Sequence, residues 1–159
     1  MRELPNKKLA QKTLSVWKIV ASIESVFLLL IPIAYYIGMR YIALPTWILY
    51  LILTAAIIYS LIKIIIIPKL KWQKWRYEIF ENEVELMYGV FVVRRVIIPM
   101  IRVQHVDTKH GPLLRHYKLS SVTISTAATI HEIPGLEENK AGELRDYIAK
   151  LAREADQDD

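Results

Sequence analysis

The chain has 159 residues and a formal net charge of +5, and 53% of its residues are hydrophobic. It contains no cysteine, which excludes disulfides, thiolate nucleophiles and cysteine-based metal sites. The charge divides sharply: residues 1–76 carry 11 basic and 2 acidic side chains (net +9), whereas residues 77–159 carry 10 basic and 14 acidic ones (net −4). Because the positive charge does not belong to the second half, the sequence disfavours a nucleic-acid-binding domain there.

The first half begins with a basic segment, residues 1–16, and continues with two apolar runs at residues 17–37 and 44–67. Each run has about 20 residues or slightly more, enough for a helix to cross a hydrocarbon core of about 30 Å. The connection at residues 38–43 is short, so we predict an antiparallel transmembrane hairpin over residues 17–67. Buried helices of a soluble protein are the alternative, but the remaining chain is too small to cover two of them.

The orientation of the hairpin follows from the distribution of Lys and Arg. These residues are concentrated before the first run and after the second, and the connection holds only Arg40. Both termini are therefore predicted to be cytoplasmic, in a multi-pass protein of the cell membrane. A basic juxtamembrane linker, residues 68–76, follows the second run, and we predict that six of its residues contact the membrane surface: Lys69, Lys71, Trp72, Lys74, Trp75 and Arg76.

Besides Lys18 at the edge of the first run, three residues interrupt the apolar runs. Pro32 is predicted to bend the first helix. Glu24 and Lys63 lie at similar depths, each a few residues inward from the cytoplasmic side. The two side chains either form an ion pair across the helices or reach the cytoplasmic interface independently, and the sequence leaves both alternatives open.

From Arg76 onward the pattern changes to the alternation of β-strands. Strands are predicted at residues 76–80, 83–88, 90–98, 101–107, 119–126 and 129–133. An apolar stripe at helical spacing then predicts an amphipathic helix at about residues 137–153, before an acidic tail at residues 154–159. The soluble domain, residues 77–153, is thus expected to be an antiparallel sheet or partial barrel that the C-terminal helix closes, which makes the whole chain an α+β membrane protein.

Several short motifs of this half resemble the YdbS-like bacterial pleckstrin-homology domain family. They are Leu86–Gly89, Arg94–Pro99, Arg102–Val106, Leu113–Arg115, Val122–Ala127 and Ile133–Leu136. The resemblance covers roughly residues 70–150, and the two-helix anchor before it also matches the layout of this group. Lys118 and Ala128 depart from the pattern, because the family usually has glycine at these positions. The resemblance implies a pleckstrin-homology-like β-barrel capped by a helix, but no particular ligand.

Four arginines are the candidate functional residues of the domain: Arg94, Arg95, Arg102 and Arg115. They either bind an anion or a partner, or form a solvated sheet face paired with glutamates on neighbouring strands. The four histidines lack the spacing of a metal site, and no nucleophile, base and oxyanion site assemble. We therefore expect neither cofactor, nor metal, nor catalytic activity.

Two functions remain open. The first is a non-enzymatic, membrane-anchored interaction module, a subunit of a membrane protein complex; the resemblance implies as partner a larger relative with repeated pleckstrin-homology-like domains, and a homo-oligomer is possible. The second is a sensor of anionic lipid or another anionic ligand at the cytoplasmic leaflet, through the arginines and the basic linker.

Overall fold

The structure, a computed structural model, describes residues 4–157. The outermost parts of the predicted basic segment and acidic tail, including Arg2 and the last two aspartates, lie outside the described residues. The chain forms two compact units. One is Trp17–Lys69, and the other combines the N-terminal segment up to Val16 with the chain from Leu70 onward.

The first unit contains two long helical spans, Lys12–Gly38 with 27 residues and Thr46–Lys74 with 29 residues, whose ends extend beyond the unit. The first span consists of α1 (Lys12–Leu28) and α2 (Leu30–Gly38). The second consists of α3 (Thr46–Leu61), a π-helical turn (Ile62–Ile66) and α4 (Ile67–Lys74). Both irregularities precede a proline, because a proline lacks the N–H of the helical ladder and its ring clashes with the carbonyl four residues earlier. Pro32 lies just after the break at Leu29, and Pro68 just after the π-helical turn.

The two spans expose large apolar side chains over most of their length, including Val26, Phe27, Leu51, Ile58 and Ile65. Such surfaces are stable in lipid rather than in water. The α2 and α3 helices are in contact with each other, as the hairpin requires. The chain is a membrane protein with a transmembrane hairpin in its first half.

The second unit contains two antiparallel sheets. The first sheet has the order β1 (Lys7–Lys8), β2 (Arg76–Ile79), β3 (Glu83–Tyr88) and β4 (Arg94–Pro99). A 3₁₀ turn at Met100–Arg102 leads to the second sheet. This sheet has the order β5 (Val103–Lys109), β6 (Leu119–Thr126) and β7 (Ile130–Glu137), with the short helix α5 (Pro112–His116) between β5 and β6.

The C-terminal helix α6 (Glu138–Gln157) packs against all three strands of the second sheet and against the 3₁₀ turn. Its buried stripe is Ala141, Leu144, Ile148 and Leu151. The sheets contribute fully buried side chains such as Val84, Leu86, Val122, Ile124 and Ile133. The prediction of a pleckstrin-homology-like antiparallel β-barrel or sheet, capped by a C-terminal helix, is confirmed, and the strands form two sheets.

The described part of the N-terminal segment, residues 4–16, is built into this domain. β1 pairs with β2, with Lys8 opposite Arg76. The Gly135 carbonyl of β7 then accepts two hydrogen bonds, from Thr13 Oγ1 at 2.6 Å and from the Ala10 N–H at 3.2 Å. The segment therefore joins the edge of the first sheet to the edge of the second. The sequence pattern placed residues 1–16 outside the domain, whereas in the structure residues 7 and 8 of this segment form a strand of it.

Three other elements differ from their sequence expectations. Residues 90–93, predicted as the start of the third strand, form a loop, and β4 begins only at Arg94. The linker predicted at residues 68–76 is helical as far as Lys74 and continues into β2 at Arg76. β7 extends through Pro134 and Gly135 to Glu137, four residues beyond its predicted end. Lys118 has a φ of 54°, in the left-handed region that favours glycine, so this backbone conformation forms despite the side chain.

Candidate interaction surfaces

One edge of the second sheet is open. Among the described residues, β5 forms a ladder with β6 alone, so the backbone groups along its other edge lack a strand partner. The ladder has a bulge at Gln104, because Val103 lies opposite Thr126 whereas His105 lies opposite the next residue, Ser125. An edge strand offers unpaired N–H and C=O groups to an incoming chain, and a bulge redirects the side chains beside it.

The α6 helix lies along this open edge and forms the second wall of a groove. This β5–α6 groove has a volume of about 760 Å³ and is lined by Ile101, Val103, Gln104, His105, Val106, Ala149, Ala152, Arg153 and Asp156. Small residues on the helical wall, Ala149 and Ala152, leave the space open where larger side chains would fill it. The groove thus combines an unpaired strand edge with a partly apolar wall.

The charges of the groove are mixed. Arg153 and Asp156 lie on the helical wall, and the Arg153 Nε donates a hydrogen bond to the Ala149 carbonyl at 3.1 Å. His105 faces them from the strand side. One cation beside one carboxylate gives no strong preference for an anion, so the groove is better suited to a neutral peptide backbone than to a phosphate.

The four candidate arginines do not form a single cluster. Arg94 begins β4 and Arg102 lies in the turn after it, so the length of a six-residue strand, roughly 20 Å, separates them. Arg115 is on α5, beyond the far end of β5. Arg95 pairs with Glu85, a neighbour on β3 whose side chain is only 1% exposed. Arg95 thus neutralises a buried carboxylate. The four arginines do not form the single anion-binding site that the first alternative would need.

The predicted membrane-surface residues of the linker make contacts within the domain. The Trp72 indole donates to the Ala10 carbonyl at 3.1 Å. Trp75, 4% exposed, stacks on Tyr88 with 5.8 Å between ring centroids, so its ring is enclosed in protein and does not reach a lipid surface. Lys74 Nζ donates to the Val90 carbonyl at 2.7 Å. The sequence assigned the tryptophans to the interface because they follow an apolar helix, but their contacts with Ala10 and Tyr88, which are distant in the sequence, are not visible in that local pattern.

In the transmembrane hairpin, Lys63 Nζ lies 2.6 Å from a carboxylate oxygen of Glu24. The sequence left open whether these side chains form an ion pair or reach the interface independently, and this distance is that of an ion pair. Ser25, next to Glu24, satisfies its hydroxyl locally by donating to the Ala21 carbonyl at 2.7 Å. Glu24, Lys63 and Ser25 are thus each paired within the hairpin, as polar side chains of a span in lipid require.

A further groove of about 770 Å³ lies at the turn between β2 and β3 and carries glutamates 78, 81, 83 and 85. Glu78 accepts the Asn6 N–H at 3.2 Å and Glu85 pairs with Arg95, so these carboxylates already have partners within the domain. Within residues 4–157, no three His, Asp or Glu side chains are arranged to hold a metal ion.

The comparisons with known proteins agree with this architecture. Residues 8–152 match the family model described as "Bacterial PH domain". The chain belongs to the bacterial PH domain family. The match begins in β1 and ends in α6, so it includes the N-terminal strand and the inserted hairpin. The chain is also 46% identical over 158 residues to the "UPF0699 transmembrane protein YdbS" of Bacillus subtilis (strain 168), covering 99% of each chain. No solved structure matches this chain.

Proposed function

We propose that this membrane-associated PH-like module is non-enzymatic and binds an extended segment of another protein along the open edge of β5. The observation that carries the proposal is the β5–α6 groove, which places an unpaired strand edge beside a helix with small side chains. Strand addition supplies affinity through main-chain hydrogen bonds, and adjacent pockets supply specificity for alternate side chains. Ile101 and Val106 provide apolar surface for such side chains.

The partner we propose is another membrane protein. The hairpin confines the domain to a membrane, so a partner in the same membrane meets it at a raised effective concentration. A larger relative with repeated PH-like domains is the partner that the family resemblance suggests. The positive-inside distribution of Lys and Arg supports cytoplasmic termini, and hence a cytoplasmic groove.

Photo-crosslinking from the groove tests this proposal in the full-length protein. A photoreactive amino acid at Gln104, on the strand wall, is compared with one at Asp146, an exposed position of α6 that does not line the groove. We expect the Gln104 probe to crosslink, in native membranes, to one protein through one contiguous stretch of its chain, and the Asp146 probe to yield no such product.

Two matched variants give the decisive comparison. Ala152→Glu places a charge on the groove wall, whereas Ala155→Glu places the same charge on the next turn of α6, outside the groove lining. Both keep a good helix former. We expect Ala152→Glu to lower the crosslinking yield about tenfold, since burying an unpaired charge costs more than the 1.4 kcal/mol that a factor of ten requires. Equal yields from the two variants would refute the proposal.

A further inference from the structure

The loop between β3 and β4 carries a compact apolar surface, which we call the apolar tip: Val90, Phe91, Val92 and Val93. Phe91 is 90% exposed and Val92 is 72% exposed. Single apolar side chains on a surface are ordinary, but consecutive ones at the end of a hairpin are unusual in a domain surrounded by water. The tip lies apart from the β5–α6 groove, and none of its residues lines that groove.

The backbone fixes the shape of the tip. Gly89 has a φ of 131°, and a Cβ at this position would collide with the Val92 carbonyl, so the chain turns tightly where only glycine fits. The Lys74 ammonium donates to the Val90 carbonyl and holds the beginning of the loop. The stacked pair Trp75 and Tyr88 supports its base. The aromatic stack and the hydrogen bond from Lys74 therefore hold the loop that carries the tip.

The topology places the tip at the end of the sheet that the chain reaches first when it leaves the membrane. The helix α4 ends at Lys74, and β2 begins at Arg76, directly after the second transmembrane span. Because β2 and β3 are antiparallel, with Arg76 opposite Met87, the loop after β3 returns to the end where β2 starts. The hydrogen bond from Lys74 to the Val90 carbonyl joins the end of α4 directly to this loop.

Positive charge surrounds the tip at this end of the sheet. Arg94 lies directly after the tip and is exposed, Lys8 lies opposite Arg76 on the neighbouring strand, and Lys74 borders the tip on the helical side. An apolar projection with a basic rim has the chemistry of a membrane interface, where apolar side chains enter the acyl boundary and cations meet anionic headgroups.

We propose that the apolar tip inserts into the bilayer that the hairpin spans and so forms a second membrane contact of the domain. Insertion removes Phe91 and Val92 from water, and it fixes how the domain is oriented on the bilayer. The occupant we propose is lipid, because only a few residues of chain separate the second transmembrane span from the start of β2 at this end of the sheet. A protein that covers the tip is the competing occupant, and the experiment below separates the two.

The absence of cysteine makes the test direct, because one introduced cysteine is the only labelling site. Val92→Cys, labelled with an environment-sensitive NBD dye, is compared with Glu81→Cys in the turn at the other end of β3. The full-length protein is reconstituted in phosphatidylcholine–phosphatidylglycerol vesicles that contain a lipid-borne nitroxide quencher. We expect several-fold stronger quenching at position 92 than at position 81. Insertion of apolar side chains should also persist in about 1 M salt. At this concentration the Debye length is only about 3 Å, so attraction between exposed cations and anionic headgroups is screened.

The dye itself is partly apolar, so a second pair of variants controls for its own affinity for lipid. Phe91→Ser in the labelled Val92→Cys protein should reduce the quenching several-fold, whereas Ile130→Ser, a change at another exposed apolar residue away from the tip, should leave it unchanged. Three results would overturn the proposal: equal quenching at positions 92 and 81, loss of the quenching at high salt, or protection of the dye in native membranes but not in lipid vesicles.

Discussion

Leu9 tests whether the N-terminal segment is part of the soluble domain. Its side chain is 3% exposed, next to the hydrogen bonds that tie Ala10 and Thr13 to Gly135. Leu→Ala changes at buried sites cost about 2–5 kcal/mol, through lost transfer free energy and the cavity that remains. Since Leu9 lies close to the chain terminus, where the structure relaxes more easily, we expect Leu9→Ala to lower the free energy of unfolding of the domain by about 2–3 kcal/mol.

The measurement is urea denaturation of the full-length protein in detergent micelles, in which the helical hairpin stays folded. Fluorescence from Trp72 and Trp75 reports the domain, because both indoles contact domain residues. Leu4→Ala is the matched control: Leu4 belongs to the same segment but is 58% exposed, so its change should stay within about 0.5 kcal/mol. If Leu9→Ala costs no more than Leu4→Ala, the N-terminal segment is not an integral part of the domain.

Three further predictions concern side-chain pairs and one buried phenol. Arg95→Ala leaves the buried Glu85 carboxylate without this partner and should cost about 1–3 kcal/mol, part of which Glu85→Gln restores in the double variant, as urea denaturation will show. In the hairpin, Glu24→Gln and Lys63→Met should each destabilise the protein in micelles; zero coupling in the double-mutant cycle would contradict the pair. Burial raises the pKa of Tyr77, so the stability it contributes is fully present below the unfolded-state pKa of about 10 and is lost as pH rises through the folded-state pKa. Denaturation as a function of pH should therefore show a shallower alkaline loss for Tyr77→Phe.

Local patterns predicted much of the fold because the spacing of apolar residues within each element indicates whether it is a helix or a strand. The apolar runs gave the hairpin, the alternation of residues 83–88 gave β3, and the stripe through Leu144, Ile148 and Leu151 gave α6. The strand prediction for residues 90–93 was wrong because it also relied on the local pattern alone. A run of β-branched and aromatic residues favours a strand when read locally, but Gly89 with its positive φ ends β3 before them.

Contacts between distant segments were not predictable from local patterns. β1 is only two residues long and its lysines carry no strand signal; its place is set by pairing with β2 across the whole hairpin. The same limit applies to the candidate site. The arginines could be named as charges, but that Arg95 neutralises Glu85, and that Arg94 and Arg102 lie apart, depends on the register of β3 and β4. The β5–α6 groove likewise arises from tertiary packing.

The pairing of β1 with β2 makes the hairpin an insertion within one domain. The two chain segments that enter and leave the hairpin lie side by side, because the Trp72 indole is hydrogen-bonded to the Ala10 carbonyl. A flexible linker of about ten Gly and Ser residues, with a root-mean-square span of roughly 16–19 Å, should therefore replace residues 17–69. We expect this variant to fold as a soluble domain with cooperative urea unfolding.

The comparison is with the fragment 77–159, which keeps the larger strands and α6 but lacks β1, Leu9 and Trp75. Without them Gly135 loses both hydrogen bonds to its carbonyl, and Tyr88 loses its stacking partner. We expect this fragment to show weak amide-exchange protection and no cooperative unfolding, whereas the linker variant shows both. If the fragment unfolds as cooperatively as the linker variant, the N-terminal strand is dispensable, and the hairpin precedes a complete domain rather than interrupting one.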